Sequence, residues 1–402
     1  MKRNYKILFV NPGASISGAP ILFINMVSWL KENSTIIPFI LTSGSGPLEY
    51  KFHELATVYK WDGQFERSNY SNYYIFRLMR RILKKIGIFS EIPYKVALFD
   101  LLKHENFDLI YSNSVASCDI LLELKQYLSC KVICHIRELE ISIQQFCGNE
   151  LFHLAIPKID LFIADSKAVI NNLVSNHDVD EEKVKMVYEY IIYADSEKII
   201  TGLGQKDGNI LRNDLGIPDN AFVVASCGTT DWRKGADLVV HISMAIRRKS
   251  DVPIHFVWIG GDNKGLEYQK LYYDVVRLNL LDRIHFLGVK KNPLDYFAIA
   301  DVFMLCSREE PVGIVALEAA SLGKPILCFD KAGGMPEFVS DDCGFIIPYL
   351  NLDLMADNLI LLQKDKALLN RLGENASKKV QQHDVNIACR DIEAIIYSVI
   401  EI

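Results

Sequence analysis

The chain has 402 residues, and its 44 lysines and arginines against 50 aspartates and glutamates give a net charge of −6. At about 150 residues per domain, this length predicts two or three domains, and the acidic balance gives no general attraction to a polyanion, so nucleic acid is excluded as a partner. Hydrophobic residues make up 50% and charged residues 23%, which excludes a disordered chain or a disulfide scaffold.

Short apolar runs alternate with amphipathic stretches along the whole chain, a pattern typical of β-α units that build a parallel sheet. The run KILFV, Lys6 to Val10, predicts a buried strand, followed by the loop NPGASISGAP and a helix over ILFINMVSWLKE. Further strands are predicted in IIPFILTS, FDLIYSNS, KVICHI and DLFIADS. Together these elements predict an N-terminal Rossmann-like domain over residues 1–195.

A second series begins at Phe222, where the strand FVVASCG, the loop TTDWRKGAD and the helix LVVHISMAIRRK repeat the order found at residues 6–32. Strands then follow in IHFVWIGG, IHFLG, VFMLCS and PILCFD. We therefore predict a second Rossmann-like domain over residues 210–385, with the joint near 191–210 and a last helix, 386–402, packing back across it. Two doubly wound α/β domains in tandem predict a ligand cleft between the carboxyl edges of their sheets.

The nine cysteines are scattered, and no two form a Cys-x-x-Cys pair. Most lie in apolar runs such as VFMLC and PILCF, where a reduced thiol packs as a small hydrophobic group. The N-terminus is basic, but only five apolar or aromatic residues run on before Asn11, too few for a signal peptide, and no stretch is apolar for long enough to span a membrane. These features predict a cytoplasmic protein.

The stretch SREEPVGIVALEAASLGKPILCF, residues 307–329, is the most informative part of the chain. It follows a predicted strand, turns through Glu310 and enters a helix at about Gly313. At about 1.5 Å of rise per residue, Gly313 and Glu318 lie about 7 to 8 Å apart along that helix, so two carboxylates flank its N-terminal amides. The N–H groups of Gly313, Ile314 and Val315 suit a diphosphate, and each carboxylate suits a pair of hydroxyls.

A purely structural interpretation makes Glu310 a favourable charge at a helix N-terminus and Glu318 a solvated helix residue. Glu318, however, lies between Leu317 and Ala319 in an otherwise apolar helix, where a charge needs a partner. The ligand interpretation is therefore favoured.

The Glu310-x7-Glu318 spacing, the surrounding EPVGIVALEAASLGKPI and the later AGGMPEFV resemble the donor domain of retaining glycosyltransferases of family 4. That family has the GT-B fold of two Rossmann-like domains. The resemblance is specific over residues 222–348 and weaker in the N-terminal half, where it depends on SGAP, CHIRE and ADS.

The resemblance implies that Glu318 binds the ribose hydroxyls and Glu310 the donor sugar. It also implies that a basic pair in the loop GTTDWRKGADL grips the diphosphate, and Lys234 matches the family lysine. The family arginine is absent because Thr229 stands in its place, which leaves Arg233 as the nearest substitute. Either cation could instead be plain solvated charge. Donor choice is expected to depend on Val289, Lys290 and the Glu310 turn.

Three residues of the N-terminal half are further candidates. Gly18 opens a helix and would let a phosphate or an acceptor approach the backbone, although an ordinary strand-to-helix turn explains it equally well. His135 ends a strand, where it is either a hydrogen-bonded core residue or, as the resemblance implies, a neighbour of the donor sugar. Glu138 could orient His135 or touch the acceptor.

We predict that the protein needs no metal and no cofactor. Asp178 and Asp180 match a D-x-D metal pattern, but Asp180 is better explained as a helix N-cap, and clusters with zinc spacing are absent from the sequence. Residues 73–89 form a basic amphipathic stretch with five cations, Arg77, Arg80, Arg81, Lys84 and Lys85. The stretch, residues 77–89 above all, could lie on anionic lipid at the inner face of the membrane, or pack as a surface helix on the first sheet.

The sequence therefore predicts a retaining glycosyltransferase that moves a sugar from a nucleoside-diphosphate donor, with UDP preferred, to a glycan or lipid-linked hydroxyl acceptor in polysaccharide or glycoconjugate synthesis. His135, Lys234 and Glu310 are the predicted catalytic residues. Two alternatives stay open, a catalytically silent GT-B subunit and a nucleotide-sugar epimerase.

Overall fold

The structure, a computed structural model, describes residues 3–61, 94–192 and 208–401. The chain divides into two units. The first contains Met1–Ile136, Ile143–Ile163 and Glu393–Ile402, and the second contains Arg137–Ser142 and Ala164–Ile392. Most of the predicted joint and the whole basic stretch 73–89 lie outside the described residues, so the predicted domain boundaries and the lipid contact stay predictions.

The first sheet has seven strands in the order β3-β2-β1-β4-β5-β6-β7. Its strands are β1 (Tyr5–Asn11), β2 (Ile36–Thr42), β3 (Thr57–Lys60), β4 (Leu109–Ser112), β5 (Lys131–Ile136), β6 (Leu161–Ala164) and β7 (Val184–Met186). Strands β1 to β5 pair in parallel, with Phe9 opposite Ile40 on one side and Tyr111 on the other. The strand order changes direction between β1 and β4, which makes the carboxyl ends of these two strands a topological switch point.

The second sheet has six parallel strands in the order β10-β9-β8-β11-β12-β13. Its strands are β8 (Phe222–Cys227), β9 (Ile254–Ile259), β10 (Ile284–Phe286), β11 (Val302–Leu305), β12 (Ile326–Phe329) and β13 (Gly344–Ile347). Here the direction changes between β8 and β11, so the loops that follow these two strands meet at the switch point of the second sheet.

Helices connect the strands, as parallel pairing requires. In the first half they are α1 (Gly18–Asn33), α2 (Glu49–Leu55), α3 (Tyr94–Glu105), α4 (Cys118–Leu124), α5 (Glu140–Phe146), α6 (Asn149–Ala155) and α7 (Lys167–His177). In the second half they are α8 (Gly208–Asp214), α9 (Ala236–Lys249), α10 (Leu266–Arg277), α11 (Pro293–Ala298), α12 (Ile314–Ser321), α13 (Met335–Val339), α14 (Leu352–Lys364), α15 (Lys366–Lys379) and α16 (Val385–Ile400).

The second sheet is buried on both faces, which explains its nearly continuous apolar strands. Along β8, Phe222 and Val224 point into one core with α9 and α14, whereas Val223 and Ala225 point into the other with α12. This alternation is the two-residue period of a strand. All of these side chains are less than 8% exposed.

The predicted α/β architecture is confirmed, including the repeat of strand, glycine loop and helix at β1-α1 and β8-α9. The predicted final helix corresponds to α16, which the unit boundary divides between Ile392 and Glu393. The nine cysteines are free thiols, as their spacing indicated. The short strands β3, β7 and β13 were not predicted, and each lies at an edge of its sheet.

Candidate functional site

The loops that follow β8 and β11 bring the predicted donor-binding residues together in the second unit. The β8 loop carries Lys234, and the β11 loop carries Glu310 and leads into α12. These two strands are neighbours at the point where the strand order reverses. In open parallel sheets, this is the position where ligands bind.

The ammonium group of Lys234 forms an ion pair with the carboxylate of Glu310. The same carboxylate oxygen accepts a hydrogen bond of 3.0 Å from Ser307 Oγ. Arg233 Nη1 lies 3.8 Å from the other oxygen of Glu310 and donates to the Glu309 carbonyl oxygen at 3.0 Å. Both predicted cations therefore face the Glu310 turn, and Arg233 is not plain solvated charge.

Two glycines give the β8 loop its shape. Gly228 has a φ of +157°, and a Cβ there would lie 3.1 Å from the aliphatic chain of Lys234, so the glycine lets the lysine cross closely. Gly235 is left-handed, with a φ of +73°, and a Cβ there would overlap the carbonyl oxygen of Cys306. The loop thus packs directly on the backbone that precedes the Glu310 turn.

A third loop, which follows β12, also contacts the Glu310 turn. Glu310 N donates to the Ala332 carbonyl oxygen at 2.7 Å, and Gly334 N donates to the Pro311 carbonyl oxygen at 2.9 Å. Gly333 has a φ of +147°, and a Cβ there would overlap the carbonyl oxygen of Glu310. A Cβ on Gly334 would likewise overlap the carbonyl oxygen of Pro311, so the close approach of two backbones requires both glycines of AGGMPEFV.

Helix α12 begins at Ile314, with Gly313 as its N-cap residue. A Cβ on Gly313 would lie 3.0 Å from Leu305 Cδ2, so the glycine lets the helix start tightly against the end of β11. The helix buries Ala316, Leu317 and Ala319, while Glu318 stays half-buried. The predicted entry at about Gly313 is confirmed.

Cys227 is the last residue of β8, and three charged side chains act on its thiol. Burial raises the pKa of its thiol to about 12, the negative charges of Glu318 and Glu310 act in the same direction, and Lys234 acts against them. The charges of Glu318, Glu310 and Lys234 are therefore all close enough to the end of β8 to act on this thiol.

Thr229 stands where the resemblance expects an arginine, and its hydroxyl donates to Asp231. The Asp231 carboxylate also accepts from Lys234 N at 3.1 Å. Next to it, Arg308 forms two hydrogen bonds with Asp237, at 2.8 and 2.7 Å, and lies 5.1 Å from the centre of the Trp232 ring. Sequence reasoning missed Ser307 and Arg308, because a single serine or arginine in a loop carries no pattern.

The first unit contains two of the other candidates. His135 is buried at the end of β5, where its Nδ1 lies 2.7 Å from Tyr111 Oη. Gly18 is exposed and is the first residue of α1, as predicted. His135 therefore has the hydrogen bond that either interpretation requires.

Glu138 lies in a buried charged cluster of the second unit that sequence reasoning did not identify. Arg137 forms an ion pair with Glu189, and Arg137 N donates to Glu138 at 2.9 Å. Burial raises the pKa of Asp165 well above its ordinary value; the charge of Glu189 adds to this effect, and Arg137 opposes it. Glu138 is therefore hydrogen-bonded to the backbone of the adjacent residue, Arg137.

The other residues predicted from the sequence are at least partly exposed. Val289 follows β10 and is 72% exposed, and Lys290 Nζ lies 5.9 Å from the centre of the Tyr296 ring. Asp180 accepts from Glu182 N at 3.1 Å at the start of a short 3-10 turn, so its predicted N-cap role is confirmed. Residues 3–61, 94–192 and 208–401 contain no group of three potential metal ligands, and none of their helices is long and apolar enough to cross a bilayer.

Comparison with known proteins relates part of the chain to a family of enzymes. Residues 207–379 match the model of glycosyl transferases group 1. N-acetyl-alpha-D-glucosaminyl L-malate synthase of Bacillus anthracis is 25% identical over 312 residues, which cover 75% of this chain and 78% of that protein. The N-acetylgalactosamine-N,N'-diacetylbacillosaminyl-diphospho-undecaprenol 4-alpha-N-acetylgalactosaminyltransferase of Campylobacter jejuni is 27% identical over 242 residues, 60% of this chain and 61% of that protein, which is less than two thirds of its length.

A solved structure matches nearly the whole chain. Anabaena Alr3699/HepE in complex with UDP and glucose has a TM-score of 0.78 and 20% identity, covering 98% of this chain and all of that one. Two parallel-sheet α/β units of this kind define the GT-B fold of glycosyltransferases. Residues 207–379 therefore match glycosyl transferases group 1, and the resemblance predicted from the Glu310-x7-Glu318 motif is confirmed.

Proposed function

We propose that this protein is a retaining glycosyltransferase that transfers a sugar from a nucleoside diphosphate, UDP preferred, to a hydroxyl of a glycan or lipid-linked acceptor. The observation that carries the proposal is the ion pair of Lys234 with Glu310 beside the N-terminus of α12, at the switch point of the second sheet. It combines a cation, the first-turn amides of a helix and a carboxylate, groups that suit a sugar diphosphate.

The arrangement suits charge that develops on a leaving diphosphate. As the bond between sugar and phosphate breaks, negative charge grows on the phosphate oxygen. Lys234 and the amides of Ile314 and Val315 provide fixed positive charge and dipoles for it. Arg233, 3.8 Å from Glu310, supplies a second cation in place of the missing family arginine. This contact argues against a silent subunit.

The carboxylates would recognise the neutral parts of the donor. Glu318 accepts hydrogen bonds from the ribose hydroxyls, and Glu310 from the sugar hydroxyls, where it stays held by Ser307. His135, oriented by Tyr111, supports the sugar near the breaking bond. Retention follows if the leaving phosphate removes the acceptor proton on the same face of the sugar.

The names of similar proteins support the substrate classes. The Anabaena structures contain UDP and, in one, UDP-glucose. The Bacillus relative is named for joining a glucosaminyl group to L-malate, and the Campylobacter relative for extending a diphospho-undecaprenol glycan. One name therefore contains a small-molecule acceptor and the other a lipid carrier.

The test begins with the donor. Thermal shifts with UDP, GDP and ADP sugars identify the nucleotide, and release of that nucleotide with an acceptor mixture in EDTA tests transfer without metal. Nuclear magnetic resonance of the product gives the anomeric configuration. Donor binding without turnover would select the silent subunit, and conversion of the donor without an acceptor would select the epimerase. An inverted product, or activity lost in EDTA, would contradict the corresponding part of the proposal.

Membrane contact through residues 73–89 is a separate part of the proposal. Its test is cosedimentation of the protein with vesicles of anionic and of neutral lipid. Binding that requires anionic lipid and is lost when Arg80, Arg81 and Lys84 are replaced by Gln would support it, whereas equal binding to both vesicles would contradict it.

A further inference from the structure

The adjacent residues Glu309 and Glu310 have different partners. The carboxylate of Glu310 meets Lys234, whereas that of Glu309 accepts three hydrogen bonds from the segment Arg137–Ser142, which belongs to the same unit. The donors are Ile141 N at 2.8 Å, Ser142 N at 3.0 Å and Ser142 Oγ at 2.8 Å. Glu309 is 8% exposed, so these bonds replace hydration that it has lost.

The contact has a clear electrostatic cause. Ile141 and Ser142 lie in the first turn of α5, whose amides have no partner within the helix. A carboxylate at this position satisfies two of them and interacts favourably with the helix dipole. Glu309 therefore acts as an N-terminal cap that comes from a residue 167 positions away in the chain.

The same residue is also fixed by its backbone. Its carbonyl oxygen accepts from Arg233 Nη1 at 3.0 Å, and the next residue, Glu310, is bonded to Ala332. The turn is thus held by the β8 loop, by the β12 loop and by the segment Arg137–Ser142. The position of the Glu310 carboxylate depends on all three.

The segment Arg137–Ser142 has anchors of its own. Arg137 is paired with Glu189, and Glu140 lies 2.9 Å from His177 Nε2. These contacts hold the segment in place. Its hydrogen bonds to Glu309 can therefore set the position of the Glu310 turn.

We propose that Glu309 is a positioning residue, which holds the Glu310 turn on the segment Arg137–Ser142 so that Glu310 meets the donor sugar in the reactive geometry. The proposal depends on the function proposed above and adds a role for a residue beside the motif. Glu309 does not itself bind the nucleotide, which Lys234 and Glu318 hold.

The first test separates turnover from donor affinity. Because a shift of about 1 Å in a positioned group can cost about 100-fold in rate, Glu309→Ala is expected to lower kcat by about 100-fold and Glu309→Gln by about tenfold. The dissociation constant for UDP should stay within about twofold of the wild-type value in both variants. A kcat unchanged in Glu309→Ala, or a loss seen only in UDP affinity, would overturn the proposal.

Asp365→Ala is the matched control. Asp365 accepts from Leu368 N at 2.9 Å as the N-cap of α15, in the same unit and away from the turn. Both variants remove a carboxylate that caps a helix, but only Glu309→Ala should change kcat. An equal fall of kcat in the two variants would assign the effect to stability alone.

Hydrogen exchange provides a test that needs no activity. Peptides that contain Ile141 and Ser142 should exchange at least about tenfold faster in Glu309→Ala, and peptides over residues 307–312 should follow them, while Asp365→Ala leaves both unchanged. Protection that stays at the wild-type level would overturn the positioning role. Failure of the wild-type protein to bind any nucleotide sugar would instead defeat the proposed function.

Discussion

Lys234 and Glu310, which lie 76 positions apart in the chain, form an ion pair at the carboxyl edge of the second sheet. Removing the lysine leaves Glu310 with the Ser307 hydroxyl and a more distant Arg233. A diphosphate leaving group would then lose its nearest cation.

We therefore expect Lys234→Ala to lower kcat for UDP release by about 100- to 1,000-fold, the usual cost of removing one group that stabilises developing charge. Lys249→Ala is the control, because Lys249 also pairs with carboxylates, Asp353 and Asp357, on the surface of the same unit. Wild-type turnover in Lys234→Ala would refute its assignment.

Glu318→Gln tests ribose recognition. Loss of a charged acceptor for two hydroxyls should weaken UDP binding by about tenfold or more, since hydrogen bonds to charged groups contribute about 1.5 to 3 kcal/mol. Isothermal titration with UDP measures the change. Glu267→Gln, whose carboxylate pairs with Lys270 on exposed α10, should bind UDP normally. Unchanged affinity in Glu318→Gln would place the ribose elsewhere.

His135→Phe tests the catalytic role predicted for the first unit. The aromatic ring is kept in the core, but the 2.7 Å contact with Tyr111 Oη is lost. We expect kcat to fall by about 100-fold, with the thermal shift caused by UDP unchanged. His104→Phe, at an exposed position of α3, serves as the control. If His135→Phe lowers the melting temperature but turns over normally, His135 is only a core residue.

Gly333→Ala tests the close approach of the β12 loop to the Glu310 turn. A Cβ would both overlap the Glu310 carbonyl oxygen and require a strained φ of +147°, so we expect a destabilisation above about 3 kcal/mol. Gly216→Ala is the reference for a left-handed glycine without overlap, because Gly216 has a φ of +66° and open space around it. That variant should lose only about 1 kcal/mol in chemical denaturation. A loss in Gly333→Ala no larger than this would show that the overlap is relieved at no cost.

Stability should fall in mild acid because of the buried His255 and its half-buried neighbour His285. The rings of His255 and His285 stack at 5.6 Å between centroids, and Arg283, Asp282 and Arg212 also act on His255. Burial, with the neighbouring His285, lowers the pKa of His255 to about 4, and burial also lowers the pKa of His285.

The unfolded chain, with an ordinary histidine pKa near 6.5, therefore binds more protons than the native protein between about pH 4 and 6.5. Stability is complete above about pH 6.5, and about 3 kcal/mol from His255 is lost as the pH falls towards 4. Chemical denaturation between pH 4 and 7 measures the free energy of unfolding. This free energy should fall less steeply towards acid in His255→Phe than in the wild type, and as steeply as in the wild type in the exposed His241→Phe. The same pH dependence in all three proteins would exclude His255 as the cause.

The elements that could be predicted are those in which burial alone decides the pattern. KVICHI predicted β5 to the residue, since a strand buried on both faces reads as an unbroken apolar run. β3 and β7 escaped prediction because each has only three or four residues and part of its pattern is lost to solvent. β13 escaped because its four residues, GFII, begin with a glycine and do not alternate. Glu309 escaped because its partners, Ile141 and Ser142, belong to a distant part of the chain.

The sequence by itself determined the two α/β units, the glycine loops and the position of Glu310 and Glu318 around the start of α12, because strand and helix periods and the needs of a helix N-terminus are local. Only the tertiary structure decided which of two adjacent glutamates meets Lys234 and which one caps α5. Neighbouring residues on a turn point in different directions, and their partners depend on which loops the sheet order brings together.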